Sequence, residues 1–279
     1  MKQQIDMHVL DREASMITTT TASAATTSTT YTVTPAKAHD WATCGGFFAA
    51  RHRPGSRFPQ NYACLLGTAT HELVVAYDGV ARPQAYDLDA LIARHWRPGR
   101  FGVEEDDQAR ADARALLAVY GTSVANEAVQ ILDHECFMQT ERRSLGDGRY
   151  IVLSGRMDRV ARRQDGTIEV LDVKTGNSLP TPDELRRDPG TAIYHLLAAD
   201  RYGASAICIA QLSLRTGARV EVCLSPDDIV VGKSKLRDMV GQLAMNEFSL
   251  SPNGACAYCP ARQECPALHR EGNVEIAEF

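Results

Sequence analysis

Apolar residues recur at helical spacing through the first half of the chain and at strand spacing through its middle. Thr34 before Pro35 marks a helix start, because the threonine accepts from a first-turn amide and proline lacks only an amide that would be unpaired anyway. The helix so opened carries Trp41, Cys44, Phe47 and Phe48 on one side, a core-facing stripe. A second helix is predicted over Ala63–Tyr77, with Leu66, Leu73 and Val74 on its apolar side, and others over 87–96 and 104–127. From about residue 129 the period shortens, predicting strands over Val129–Phe137, Tyr150–Val160 and Thr167–Val173. A helix near 190–202, strands over Ala206–Leu214 and Ala218–Leu224, and a helix over 226–247 follow, before a cysteine-rich end. Helices on both sides of a β-rich block predict α/β architecture.

Length and composition narrow this picture. The 279 residues suit one large domain or two ordinary ones. With 44% hydrophobic and 23% charged residues, the chain has ample material for a core. Ile17–Thr30 reads ITTTTASAATTSTT, a low-complexity stretch without apolar period, so residues 1–30 are expected to be a flexible tail and 31–279 the folded domain. The helical segments over about 79–127 stand as an insertion in that domain. No run of eighteen apolar residues occurs, which excludes a membrane-spanning helix, and the start MKQQIDMHVLDREASM lacks the apolar segment of a secretory signal. The expectation is a cytoplasmic protein with no membrane partner. A net charge of −5 argues against nonspecific coating of nucleic acid but not against local phosphate gripping.

The most informative stretch runs from Leu153 through Gly-Arg-Met-Asp158-Arg to Leu-Asp172-Val-Lys174-Thr-Gly176. Two strand-like runs flank Gln164-Asp165-Gly166, a loop that suits a type I turn closed by a left-handed glycine. In that register Arg163 pairs with Thr167, Asp158 falls opposite Asp172 on one face, and Lys174 joins them two residues on. A one-residue slip would separate Asp158 from the others. Hard carboxylate oxygens on a sheet face hold Mg²⁺ or Mn²⁺, and a lysine beside them can orient water or steady negative charge. Asp-x-Lys alone reads first as a surface salt bridge; Asp158, the apolar flanks Val170, Leu171 and Val173 and the following Thr175-Gly176 bring the chemical reading level with it.

Gly-Arg-Met-Asp158-Arg and Asp172-Val-Lys174-Thr-Gly resemble motifs II and III of the RecB-type PD-(D/E)XK nucleases. Gly67-Thr-Ala-Thr-His71-Glu resembles their motif I, in which a helix-borne histidine helps to hold the metal. Tyr194-His-Leu-Leu-Ala-Ala-Asp-Arg-Tyr-Gly203 resembles the helix after motif III, although the family's Gln-x-x-x-Tyr has Gly190 at its first position here. The resemblance implies a restriction-endonuclease-like central mixed sheet flanked by helices. It also implies metal ligation by His71, Asp158, Asp172 and the Val173 carbonyl, a water-positioning Lys174 and a strand-orienting Tyr194, which reads otherwise as a core aromatic.

Eight cysteines without a secretory signal point to metal binding or core thiols rather than disulfides. Cys256-Ala-Tyr-Cys259-Pro-Ala-Arg-Gln-Glu-Cys265-Pro can bring three thiolates to one centre, and a closed site needs a fourth ligand. His269 would complete a zinc site; Cys44 is the distant candidate. The setting of Cys44 resembles the first helix of iron–sulfur RecB-type nuclease domains, in which one N-terminal and three C-terminal cysteines hold a 4Fe–4S cluster. That resemblance implies a structural cluster on Cys44, Cys256, Cys259 and Cys265, with zinc as the alternative. Cys64, Cys136, Cys208 and Cys223 lie in apolar runs and are expected to be core residues.

Arg51, Arg53 and Arg57, then Arg94, Arg97 and Arg100, then Arg142, Arg143, Arg159, Arg162 and Arg163 form basic clusters that could meet a DNA backbone, with Trp96 available to stack on a base. No phosphate-gripping G-x-x-x-x-G-K-[ST] motif occurs, so a helicase partner would be another polypeptide. The expected function is a Mg²⁺- or Mn²⁺-dependent exonuclease on single-stranded DNA or DNA with a free end. By the same resemblance it would serve repair, recombination, CRISPR adaptation or phage DNA processing. The alternative is a catalytically inactive iron–sulfur subunit that binds DNA.

Overall fold

The computed structural model describes residues 19–21, 28–52, 61–80, 87–204 and 206–268. The chain divides into two compact units, each assembled from separate stretches of sequence. One comprises 1–57, 141–153 and 236–279; the other comprises 58–140 and 154–235.

In the first unit, β1 (Thr19–Thr21) pairs antiparallel with β2 (Ser28–Val33). The folded chain therefore begins before Tyr31: the described threonines of the expected tail form strands, as suits β-branched side chains. The remainder of the stretch before Ser28, with Arg53, Arg57, His269 and residues 81–86 of the expected insertion, lies outside the described residues. β2 runs parallel to the opening residues, Arg149–Leu153, of β5 (Arg149–Arg163). β4 (Arg143–Gly146) joins β5 through Asp147-Gly148, both at positive φ (50° and 71°), the two-residue turn that matches strand twist.

The helix predicted through Phe48 is in fact two. α1 (Pro35–Thr43) starts as expected, with Thr34 accepting from the Lys37 amide at 3.3 Å, and ends where Cys44 turns extended. α2 (Gly45–His52) restarts on two glycines. A side chain at Gly45 would lie 2.7 Å from the Ser249 carbonyl, so only glycine admits the segment that packs there. Trp41 Nε1 donates to Gln242 at 2.9 Å, which secures α1 to the end of α8 (Pro226–Met245).

The second unit is built on a mixed sheet in the order β3 (Val129–Gln139), β5 from Ser154, β6 (Ile168–Lys174), β7 (Ile207–Ser213) and β8 (Arg219–Cys223). Only the β6–β7 neighbours are parallel. They are joined through α6 (Pro182–Arg187) and α7 (Pro189–Tyr202), as a parallel crossover requires. α3 (Tyr62–Asp78), α4 (Leu88–His95) and α5 (Asp106–Val124) share a core with one sheet face, in which Leu66, Leu73, Leu117 and Tyr120 meet Leu171 and Val173. Strand alternation then turns Asp172 and Lys174 away from that core. This is the restriction-endonuclease-like α/β arrangement expected from the sequence.

Several side chains depart from expectation. Trp96 is 8% exposed, stacks on Phe101 and donates to Asp106 at 2.9 Å, so it is a core residue rather than a base-stacking platform. Arg97 and Arg100 bind Glu72. Arg159, only 1% exposed, donates to Tyr120, Glu127 and Glu169, and Arg163 binds Glu169 and Glu221. A buried guanidinium must be paired, and these carboxylates outcompete any external phosphate. Cys208 and Cys223, at directly paired positions of β7 and β8, form a disulfide rather than free core thiols, because the register brings their side chains face to face. Cys64 is exposed and Cys136 half-buried. No helix among the described residues is long and apolar enough to cross a membrane.

Candidate active site

The β5–β6 hairpin has the register read from the sequence. Arg159 pairs with Leu171 and Arg162 with Ile168, the Arg163 amide donates to Thr167 at 2.9 Å, and Gly166 takes φ +88°. Pairing stops one residue short of Asp158 and Asp172. Where the strands part, the Asp158 carboxylate takes over from the ladder, accepting from the Val173 amide at 2.7 Å. That bond fixes the direction of Asp158 and sets the neighbouring peptide of β6 against it.

Three further elements reach the same place. α3 brings His71, whose Nδ1 lies 3.4 Å from Asp158 Oδ1 and 3.2 Å from Glu135 Oε1. β3 brings Glu135, in a left-handed conformation (φ 43°) opposite Asp158 at a gap in the β3–β5 pairing. β7 brings Gln211, which donates to Asp172 Oδ2 at 3.1 Å, while Lys174 Nζ stands 2.7 Å from that same oxygen. Glu135, Asp158, Asp172 and Gln211 thus form one lateral row across four strands.

The electrostatics follow from burial and these pairs. Burial pushes Asp172 up to about 6, reinforced by Asp158 and opposed by Lys174. Burial would also lower the Lys174 ammonium, but Asp172 outweighs it and the pKa is raised. Asp158 is buried too, yet His71, the Val173 amide and Lys174 hold it below the usual carboxylate range. His71 is driven up to about 10: burial opposes its charge, and Asp158 and Glu135 together override that cost. Tyr194 on α7 has its phenol pushed well above its ordinary range, first by burial and then by the negative charge of Asp172 and Asp158.

One ligand atom from each of His71, Glu135 and Asp158 lies within 4.8 Å of the others, a spacing one cation can span. An imidazole nitrogen beside carboxylate oxygens is a donor set that a divalent cation takes. The sequence profile of the PD-(D/E)XK nuclease superfamily matches residues 32–266. The chain belongs to this superfamily. No curated protein matches the chain. Among solved structures, one titled "Crystal structure of SSO0001" is similar, at 18% identity over 78% of this chain and 91% of that one, with a TM-score of 0.38.

Within this PD-(D/E)XK chain, His71 lies against Asp158 and Lys174 against Asp172, while Tyr194 is half-buried on α7. Glu135 and Gln211 were missed. Glu135 lies in His134-Glu135-Cys136, with no motif around it, and only the position opposite Asp158 signals it. Gln211 is the lone polar side chain in the apolar run Ile207–Leu212, and a buried amide in such a strand demands a partner.

The four cysteines of the proposed clip gather in the first unit, around a cavity of about 300 Å³ lined by Cys44, Cys256, Cys259 and Cys265. Burial raises the Cys259 thiol, and the neighbouring Cys44, Cys256 and Cys265 sulfurs raise it further, against a bond from the Ala261 amide. Backbone amides of Ser251 and Asn253 donate to the sulfurs of Cys44 and Cys256 at 3.4 and 3.3 Å. Amides aimed at sulfur stabilise thiolate, the form in which cysteine binds metal.

Proposed function

We propose that this PD-(D/E)XK chain is a metal-dependent DNA nuclease of the RecB-like type, acting as an exonuclease on single-stranded DNA or on DNA with a free end. The observation that supports this most is the convergence of Asp158, Asp172, Lys174 and His71 from three elements on one open rung of the sheet. Mixed imidazole and carboxylate donors fit a hard divalent cation, held by His71, Asp158, Asp172 and the Val173 carbonyl. When bound, Mg²⁺ or Mn²⁺ would polarise the phosphodiester and lower the pKa of bound water.

The residues divide the remaining work. Asp158, oriented by the Val173 amide, keeps a fixed carboxylate toward the scissile group. Lys174 orients the attacking water and offsets charge as the phosphoryl oxygens become more negative. It stays cationic because Asp172 raises its pKa against burial. Tyr194, held neutral by burial and by the charge of two carboxylates, offers a phenol to the strand backbone. The cysteine clip is read as the seat of a structural 4Fe–4S cluster, with zinc as the alternative. DNA is the proposed partner, together with a helicase or a recombination or CRISPR-adaptation protein, and the cytoplasm the proposed location.

The test uses protein purified without oxygen and end-labelled single- and double-stranded DNA, with Mn²⁺, Mg²⁺ or EDTA. Metal-dependent cutting by the wild type and none by Lys174→Ala is the expected result, and the product ladder reads the polarity. Cluster-loaded protein that binds DNA but never cuts it would replace this reading with that of a noncatalytic binding subunit.

A further inference from the structure

The parallel register of β6 and β7 sets Gln211 beside Asp172 and Ser213 beside Lys174. β7 is otherwise apolar here, with Ile207, Ile209 and Leu212 buried. A polar side chain in such a strand costs stability unless it is paired. Gln211 has its partner: Nε2 donates to Asp172 Oδ2 at 3.1 Å. Lys174 Nζ reaches that same oxygen at 2.7 Å. Both donors converge on one oxygen of the carboxylate, which reserves the other, Oδ1, for a different ligand.

We propose that Gln211 is a positioning residue for the cleavage reaction: it pins Asp172 through Oδ2 so that Oδ1 faces the divalent cation. The inference rests on the nuclease reading. Its mechanical content is that Lys174, whose ammonium has three N–H donors, need not hold Asp172 alone while it also holds the attacking water. With Gln211 on Oδ2, the ammonium can move to the water while the carboxylate keeps its rotamer. Without Gln211, Lys174 would be the one side chain among the described residues that bonds Asp172, and its movement to the water would release that ligand. Ser213 belongs to the same edge: its hydroxyl is buried, in register with Lys174, and has no hydrogen-bond partner among the described residues.

The experiment compares wild type with Gln211→Met, which keeps an unbranched side chain and removes the donor, and with Gln211→Glu, which keeps the shape and faces Asp172 with a second acid. Three quantities are read: Mn²⁺ affinity from the free-ion electron paramagnetic resonance signal, kcat and KM at saturating Mn²⁺, and the melting temperature in EDTA. Ligand-orienting partners of this kind are worth about 10- to 100-fold in metal affinity or activity. Gln211→Met should weaken Mn²⁺ binding by roughly that factor and lower kcat with KM for DNA near the wild-type value, while the EDTA melting temperature holds. Gln211→Glu should lose more affinity than Gln211→Met. Unchanged affinity and kcat in both variants, or losses that track only a fall in melting temperature, overturn the proposal. Wild-type protein that binds no Mn²⁺ and cuts nothing overturns the nuclease reading itself, a separate outcome.

Discussion

Asp172 carries a conflict that a metal ligand requires. Burial raises it to about 6, so above that pH the metal-free protein keeps an ionised carboxylate at a cost in stability. A folded-state pKa above the unfolded value of 3.8 favours folding fully below pH 3.8, and that advantage is lost as pH rises through 6. Asp172→Asn removes this titration, and it also takes from Lys174 the carboxylate that raises its pKa. In EDTA the wild type should lose melting temperature between about pH 4 and pH 7, and the variant should lose less over the same interval. Differential scanning calorimetry across pH decides this; a variant whose melting temperature falls as steeply as the wild type's sinks the idea. His71 changes stability in the same direction over a higher pH window. Its pKa is raised from 6.5 to about 10, so its pairing with Asp158 and Glu135 stabilises fully below 6.5 and fades as pH rises through 10. Lys174 has the simplest expectation. Lys174→Met should reduce cutting by roughly 10²- to 10³-fold or more at saturating metal.

At the scale of elements, the β5–β6 hairpin was readable because everything that specifies it is local. Alternation sets the faces, and Gln164-Asp165-Gly166 sets the turn, so the register of Arg159 with Leu171 follows from the sequence alone. Gly166 sits at φ +88°, where a side chain is strained. Gly166→Val should cost about 1–2 kcal/mol, seen as a lower melting temperature, while the ladder keeps its register and cutting at 25 °C persists. Loss of cutting without loss of stability would mean that the turn, not the ladder, positions Asp158. What escaped the sequence depends on long-range geometry. Gln211 meets Asp172 only through a parallel crossover, and Glu135 meets Asp158 only where β3 leaves regular pairing. The arginines misled for a related reason: Arg159 and Arg163 look like surface charge until Glu127 and Glu221, from a distant loop and strand, join Glu169 of the same hairpin around them. Helical spacing carries the first helix through Gly45 and Gly46 without a break, and the segment near Ser249 that packs against Gly45 lies far along the chain.

At the scale of the molecule, the first unit is discontinuous: its stretches 1–57 and 236–279 are separated by most of the chain. Cys44 comes from the first stretch and Cys256, Cys259 and Cys265 from the last. A cluster ligated by all four would join the two across a long loop, a closure whose entropic cost is large in the open chain and small once the metal holds it. Ligand binding of this kind is itself folding free energy. Protein made anaerobically should therefore be brown and hold about four iron atoms and four sulfides. Cys44→Ser should lower the iron content well below that and reduce the melting temperature by at least roughly 5 °C, whereas Cys64→Ser, exposed on α3, should change neither. Iron analysis, the visible absorbance band and melting curves of the three proteins check this together. Colourless protein with one zinc per chain, lost on Cys44→Ser, would keep the clip and change its metal. A Cys44→Ser protein with full iron and unchanged stability would remove Cys44 from the clip and leave the two stretches joined by packing alone.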